Sequence, residues 1–214
     1  MVGLQGDFDL FAQAFPNDLV PSVFQLTLKE WPNAPRPEGN PLENRITNRF
    51  VGHLQRVMRN YELPQFKFTL RPKAADPDSD SESGEFDIAV RSFSCHPDAF
   101  LIVECKRLNI ETDTGLQSRA ASYIGDDGMG CFISGQYQSG GNIGGMLGYV
   151  MTRTIEDAIV AINQQLAAGH NAMRLQQPFE LQASAIVDNE PQMRQTTHSL
   201  DDGDFEIVHL FVKF

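Results

Sequence analysis

GEFDIAV at residues 84–90 and FLIVECKRL at residues 100–108 decide how this chain folds. Each is an apolar, strand-like run that carries charge where a core strand should not. Asp87 stands between Phe86 and Ile88, and Glu104 and Lys106 follow directly on Phe100–Val103. A lone carboxylate or ammonium is costly to bury unless it is paired or bound to a metal. Three charges in two buried strands therefore mark a site. Strand side chains alternate faces, so Glu104 and Lys106 share one face and Cys105 turns to the other, into packing. If the two runs pair, Asp87 lies beside Glu104. Two carboxylates on neighbouring strands, with a backbone carbonyl, make a hard oxygen site suited to Mg²⁺ or Mn²⁺. Lys106 on the same face is placed to orient a water or to stabilise an oxyanion. A Lewis-acid metal, a water nucleophile and an ammonium beside the phosphate are the parts needed to hydrolyse a phosphodiester.

Asp87 followed by Glu104-Cys105-Lys106 resembles the bipartite signature of the PD-(D/E)xK nucleases, the restriction-endonuclease-like superfamily. The leading proline of that signature is absent, and Phe86 precedes Asp87 instead. The resemblance implies a mixed β-sheet flanked by helices and a metal-dependent endonuclease acting on DNA. It implies Asp87, Glu104 and the Cys105 carbonyl as metal ligands, with Lys106 positioning the attacking water. It also implies that Glu43 is a helix-borne acid beside the metal, and that Gln136 and Tyr137 follow the Glu-x-Lys strand and face the site. Stand-alone chains of this look resemble bacterial or phage members linked to restriction or defence. The competing reading is a pair of edge strands with a surface salt bridge from Lys106 to Glu104 or Asp87. Against it, Phe100–Val103 reads as a central strand, where exposed charges are hard to house.

The chain has 214 residues, 41% of them hydrophobic, which is enough for one domain with a substantial core. We read residues 1–39 as a helical extension, 40–165 as the motif-bearing core and 166–214 as closing strands. Asp7 and Asp9 interrupt the N-terminus, so a secretory signal is not expected. No run of about 18 apolar residues occurs, so no membrane span is expected. Cys95, Cys105 and Cys131 show no metal-ligand spacing, and an odd count points to a reducing cytoplasm. The net charge of −11 is unusual for a nucleic-acid binder. Much of the acid is segregated, however, into Asp76–Glu85 and Asp201–Glu206, while Arg45, Arg49, Arg56 and Arg59 share one predicted helix and Lys106, Arg107 and Arg119 lie near the expected site. The acidity also fits a protein partner, and double-strand cleavage would call for a homodimer.

Along the chain, residues 4–31 predict one or two short helices broken at Pro16 and Pro21. Asn40-Pro41-Leu42-Glu43 predicts a helix start, with Asn40 as cap, Pro41 in the first turn and Glu43 closing a capping box. Glu43 thus has two readings, a cap and a site acid. Leu42, Ile46, Phe50, Leu54, Val57 and Tyr61 form the apolar face of that helix. Its arginines, Arg45 among them, face phosphate or simply solvent. Phe66–Leu70, Glu85–Val90 and Phe100–Lys106 predict an antiparallel meander. A helix is expected at Gly115–Tyr123. The glycines from Gly130 to Gly148 match neither a dinucleotide nor a phosphate-loop pattern and are read as a packing segment. Leu147–Met151 and Phe179–Val187 predict strands, Thr154 opens a further helix ending at Gly169, and Phe205–Phe214 is a closing strand. His198 is placed in a loop between the last strands, either solvated or touching phosphate.

Two further functions fit the same residues. One is a non-catalytic nuclease-fold module used for binding or assembly. The other is a carboxylate-metal phosphohydrolase acting on RNA or small nucleotides.

Overall fold

The computed structural model describes residues 15–60, 65–70, 73–74, 83–85, 87–94, 99–137, 141–187 and 190–214. The expected acidic loop at Asp76–Glu82, the apolar residues Leu10 and Phe11, and Tyr61 lie outside them. Two helices come first, α1 at Val20–Glu30 and α2 at Glu43–Arg59. The meander follows as β1 at Phe66–Leu70, β2 at Lys73–Ala74, β3 at Ser83–Glu85, β4 at Ile88–Ser92 and β5 at Phe100–Leu108. A small hairpin, β6 at Ile110–Thr112 and β7 at Gly115–Gln117, leads to α3 at Ala120–Ile124 and α4 at Gly130–Ile133. The chain then runs through β8 at Ile143–Val150, α5 at Ile155–Gly169, β9 at Gln182–Ala183, β10 at Met193–Leu200 and β11 at Gly203–Lys213.

Seven strands form one mixed sheet in the order β1-β4-β5-β8-β11-β10-β9. The first three are antiparallel, β5, β8 and β11 run parallel, and β10 and β9 return antiparallel. Helices cover both faces, which is why β8, in the middle, is buried at every position. On one face α1 and α2 pack on Val103, Cys105, Leu147, Tyr149 and Leu210. On the other, α3, α4 and α5 pack on Ile102, Met146, Val150, Ile207 and Phe211. No described helix is long and apolar enough to cross a membrane.

The glycines of β8 let these layers close. A Cβ on Gly145 would stand 2.8 Å from Phe24 Cζ of α1 and 3.0 Å from Val103 Cγ2. A Cβ on Gly144 would stand 2.6 Å from Phe132 Cε1 of α4. The expected packing segment is thus in part a central strand, which starts four residues before Leu147.

Other expectations need correction. Pro21 does not break the first helix but lies in its first turn, where no amide donor is needed. The helix at Gly115–Tyr123 is half hairpin, because Gly115 and Arg119 take left-handed angles (φ 104 and φ 60) and the short helix starts only at Ala120. Phe179–Val187 contributes only Gln182–Ala183 to the sheet. Leu42 is not on the buried face; it precedes the helix and is 71% exposed. The helix at Thr154 forms as expected, with a reciprocal Thr154–Asp157 capping box.

His198 is the largest correction. It is wholly buried on β10, a strand whose polar sequence MRQTTHSL hides its role. His198 Nδ1 donates to the Met173 carbonyl at 2.7 Å, so its Nε2 accepts from Thr196 Oγ1 at 2.8 Å. Thr196 in turn accepts from His209 Nε2 at 3.0 Å, and His209 Nδ1 accepts from the Tyr123 hydroxyl at 3.0 Å. Each polar group in this file has a partner, which burial demands. Burial holds His198 below the usual histidine range and His209 down at about 3. His198 therefore faces neither solvent nor phosphate.

Gly145→Ala is expected to destabilise the protein by about 1–3 kcal/mol through overpacking against Phe24 and Val103. Urea unfolding should show a lower midpoint with an unchanged slope.

Candidate functional site

The site forms where β4 stops short of β5. The antiparallel register pairs Ile88 with Val103 and ends there, so Asp87 stands one step on, opposite Glu104. Beyond that point no described strand pairs with this edge of β5, yet its amides at Cys105 and Arg107 still need acceptors. Two side chains supply them. Asp87 Oδ2 accepts from the Cys105 amide at 2.9 Å, and Glu43 Oε2 accepts from the Arg107 amide at 2.8 Å. A residue's N–H and C=O project to the same side of a strand. The Cys105 carbonyl therefore opens toward the same gap, between the two carboxylates.

Glu43 reaches this edge because α2 begins with it. The expected cap does not form: Leu42 is the N-cap, and no side chain caps the helix. Asn40 instead accepts from Arg107 Nη1 at 3.3 Å and donates to the Glu111 carbonyl at 3.2 Å. Of the two readings of Glu43, the capping box fails and the placement beside Glu104 and Lys106 holds. Behind it, Thr47 Oγ1 donates to the Glu43 carbonyl at 3.1 Å and meets the Tyr149 hydroxyl at 3.1 Å. That hydroxyl lies 3.5 Å from Cys105 Sγ, so Cys105 turns into the α2 layer as its strand parity requires.

On the opposite face Glu104 is 4% exposed. Lys106 Nζ donates to its Oε1 at 2.6 Å, and the Tyr137 hydroxyl donates to its Oε2 at 2.9 Å. Lys106 Nζ also lies 3.6 Å from Glu43 Oε1, so one ammonium bridges two acids. Tyr137 is held by an edge-on contact with the Phe132 ring (5.2 Å between centroids, 83°), the same ring that fits against Gly144. The structure thus gathers Asp87, Glu104, Cys105, Lys106, Glu43 and Tyr137. It leaves Gln136 and Arg45 exposed, Arg45 in the first turn of α2, and buries His198 on another strand.

The electrostatics follow from burial and crowding. Burial and the neighbouring Asp87 charge raise Glu104 from 4.5 to about 7, although Lys106 and Tyr137 favour its ionised form. Burial likewise raises Glu43, against the pull of Lys106. For Lys106, burial opposes the charge, but Glu104 and Glu43 together outweigh it and hold the ammonium above its ordinary range. Lys106 is therefore a fixed cation at neutral pH and not a base. Burial also lifts the Tyr137 phenol, so it stays a donor. Among the described residues, no three or more His, Cys, Asp or Glu side chains are grouped to hold a metal ion. The oxygens gathered there are those of three carboxylates, Asp87, Glu104 and Glu43, and the Cys105 carbonyl.

Sequence reasoning placed Arg107, with Arg119, near the site but did not foresee what it holds. Its guanidinium ties β5 to the residues before α2, with Nη1 donating to the Pro41 carbonyl at 2.7 Å. Only its position next to Lys106 signalled it. Comparison with known proteins returns no likeness: no protein-family model, no curated protein and no solved structure matches the chain.

Because the Glu104 carboxyl is raised on folding, it favours the folded state less as pH climbs from about 4.5 to about 7. His209, lowered on folding, acts oppositely between about 3 and 6.5. The parent minus Glu104→Gln difference in unfolding free energy isolates the first effect. It should decline across the window from 4.5 to about 7 and be flat above it. Tyr137→Phe removes a donor to the carboxylate and should move the Glu104 titration, followed by carboxyl carbon NMR, further up.

Proposed function

We propose that this chain is a metal-dependent nuclease of the PD-(D/E)xK type that hydrolyses DNA phosphodiester bonds. The observation that carries the reading is the convergence of Asp87, Glu104, Glu43 and Lys106 on one uncovered strand edge. Two pieces of architecture support it. The order of helix, three-stranded meander, helix and parallel strand agrees with a restriction-endonuclease-like core. The Asp and Glu-x-Lys elements fall at the ends of adjacent strands of that meander.

A divalent cation fits the residues. Asp87, Glu104 and the Cys105 carbonyl offer hard oxygens only, which suits Mg²⁺ or Mn²⁺, and few protein ligands suit an ion that keeps several waters. Burial and the Asp87 charge raise Glu104, and a bound cation would favour its ionised form and displace a proton. Such an ion would supply Lewis-acid polarisation of the phosphodiester. The chain does the rest. Tyr137 fixes the Glu104 carboxylate by its Oε2, and Asp87 and Glu43 are held by the β5 amides. Lys106, a permanent donor, faces the developing charge on a nonbridging oxygen and orients water. Cleavage of both strands would need two such sites, hence a dimer.

A second reading has its own support. Every acid at the site already has a protein partner, two of them backbone amides, so the same cluster would serve a non-catalytic module by closing the strand edge alone.

Supercoiled plasmid with Mg²⁺ or Mn²⁺ separates the two. Lys106→Ala should cut at least about 100-fold more slowly while metal heat on titration persists. Asp87→Ala should lose both. Metal uptake should release protons and tighten as pH rises through 7. Parent-like cutting by Lys106→Ala would rule the mechanism out, and absence of both cutting and metal heat in the parent would favour the module.

A further inference from the structure

Beside Lys106, at the end of β5, stands a second cation that enters no salt bridge among the described residues. The Arg107 guanidinium is half-buried and docked by neutral groups, its Nη1 donating to the Pro41 carbonyl and Asn40 Oδ1. The nearby Glu43 carboxylate is engaged by the Arg107 amide instead. A guanidinium carries five N–H donors in a fixed fork, and the two bonds use Nη1 alone.

Arg119 brings a second guanidinium to the same place. The Asn109 amide, just past the end of β5, donates to the Ser118 carbonyl at 3.0 Å and pins this segment to the strand. Arg119 itself takes a left-handed angle (φ 60), is exposed and enters no salt bridge among the described residues. Burial lowers the Arg107 guanidinium, and the Arg119 charge adds to it against the attraction of Glu43. Two guanidinium charges near one another repel, and an anion between them turns repulsion into attraction.

We propose that Arg107 and Arg119 seat a backbone phosphate of the nucleic-acid substrate, next to the phosphodiester that Lys106 faces. The seat rests on the nuclease reading and adds to it the path of the bound strand. It is open to solvent on the Arg119 side, as a polymer backbone requires. Glu111 and Asp113 are exposed on the nearby β6–β7 hairpin, where the Glu111 carbonyl accepts from Asn40, the residue whose Oδ1 accepts from Arg107. Their charge directs the strand away from that hairpin.

Fluorescence anisotropy with a labelled DNA duplex in chelator tests this without cleavage. Arg107→Gln/Arg119→Gln is compared with Arg56→Gln/Arg59→Gln, an equal charge change at exposed positions at the far end of α2. The first pair should bind about tenfold more weakly at 0.1 M salt and lower the salt slope by about 0.9, one phosphate contact. The second pair should match the parent. Arg119→Glu alone, at an exposed position, should weaken binding further and keeps the test valid if the Arg107 change unfolds the protein. Equal binding and slope in the first pair, or equal losses in both pairs, would overturn the seat. The nuclease reading would then still stand on Lys106-dependent cutting. A parent that neither binds nor cuts DNA would overturn both.

Discussion

A stretch of strand edge that no described strand pairs with is the constraint on which this molecule depends. β4 begins only at Ile88, opposite Val103, while β5 continues to Leu108. The amides of Cys105 and Arg107 then face a gap, and a buried amide without an acceptor is costly. Asp87 and Glu43 fill it with carboxylates, one from the chain just before β4 and one from the first turn of α2. That solution to a backbone problem gathers negative charge at one point. The charge in turn requires Lys106, which bridges Glu104 and Glu43. Folding need and chemical opportunity therefore share the same atoms.

The arrangement also settles how the layers relate. Glu43 comes from the helical layer on one face, and Tyr137 from the layer on the other. Both reach β5, whose alternate residues look to opposite layers. The site is thus a bridge across the end of the sheet, and no single element can move without disturbing it. Trp31 reinforces this from behind, donating from Nε1 to the Lys213 carbonyl at 2.8 Å and stacking on Tyr149.

What the sequence disclosed was what period and burial encode. The apolar run before Glu104 marked a central strand, and alternation placed Glu104 and Lys106 together and Cys105 behind. Asp87 opposite Glu104 followed from pairing alone. What it concealed depends on partners distant in the chain. Asn40 reads as a helix cap, but Arg107 lies close enough to claim it. MRQTTHSL reads as a polar loop because nothing local shows that Thr196 and His198 are satisfied by His209 and the Met173 carbonyl. The glycines around 144 read as a packing segment, but not as a central strand, because the aromatic rings that fill their space belong to other elements. Gln136 and Tyr137 were equal candidates by position, and only the turn after α4 decides that Tyr137 faces inward.

Gly144 has a wider consequence. Its missing Cβ sets how deep the Phe132 ring sits, that ring supports Tyr137, and Tyr137 holds Glu104. One hydrogen atom in the middle of the sheet is thus the foundation of a carboxylate at its edge. Evolution cannot tune these separately: a change at this position that alters the packing of the core also resets the acidity of the site. Lineages exploring new chemistry would have to find it elsewhere on the rim, or rebuild the interior to get there.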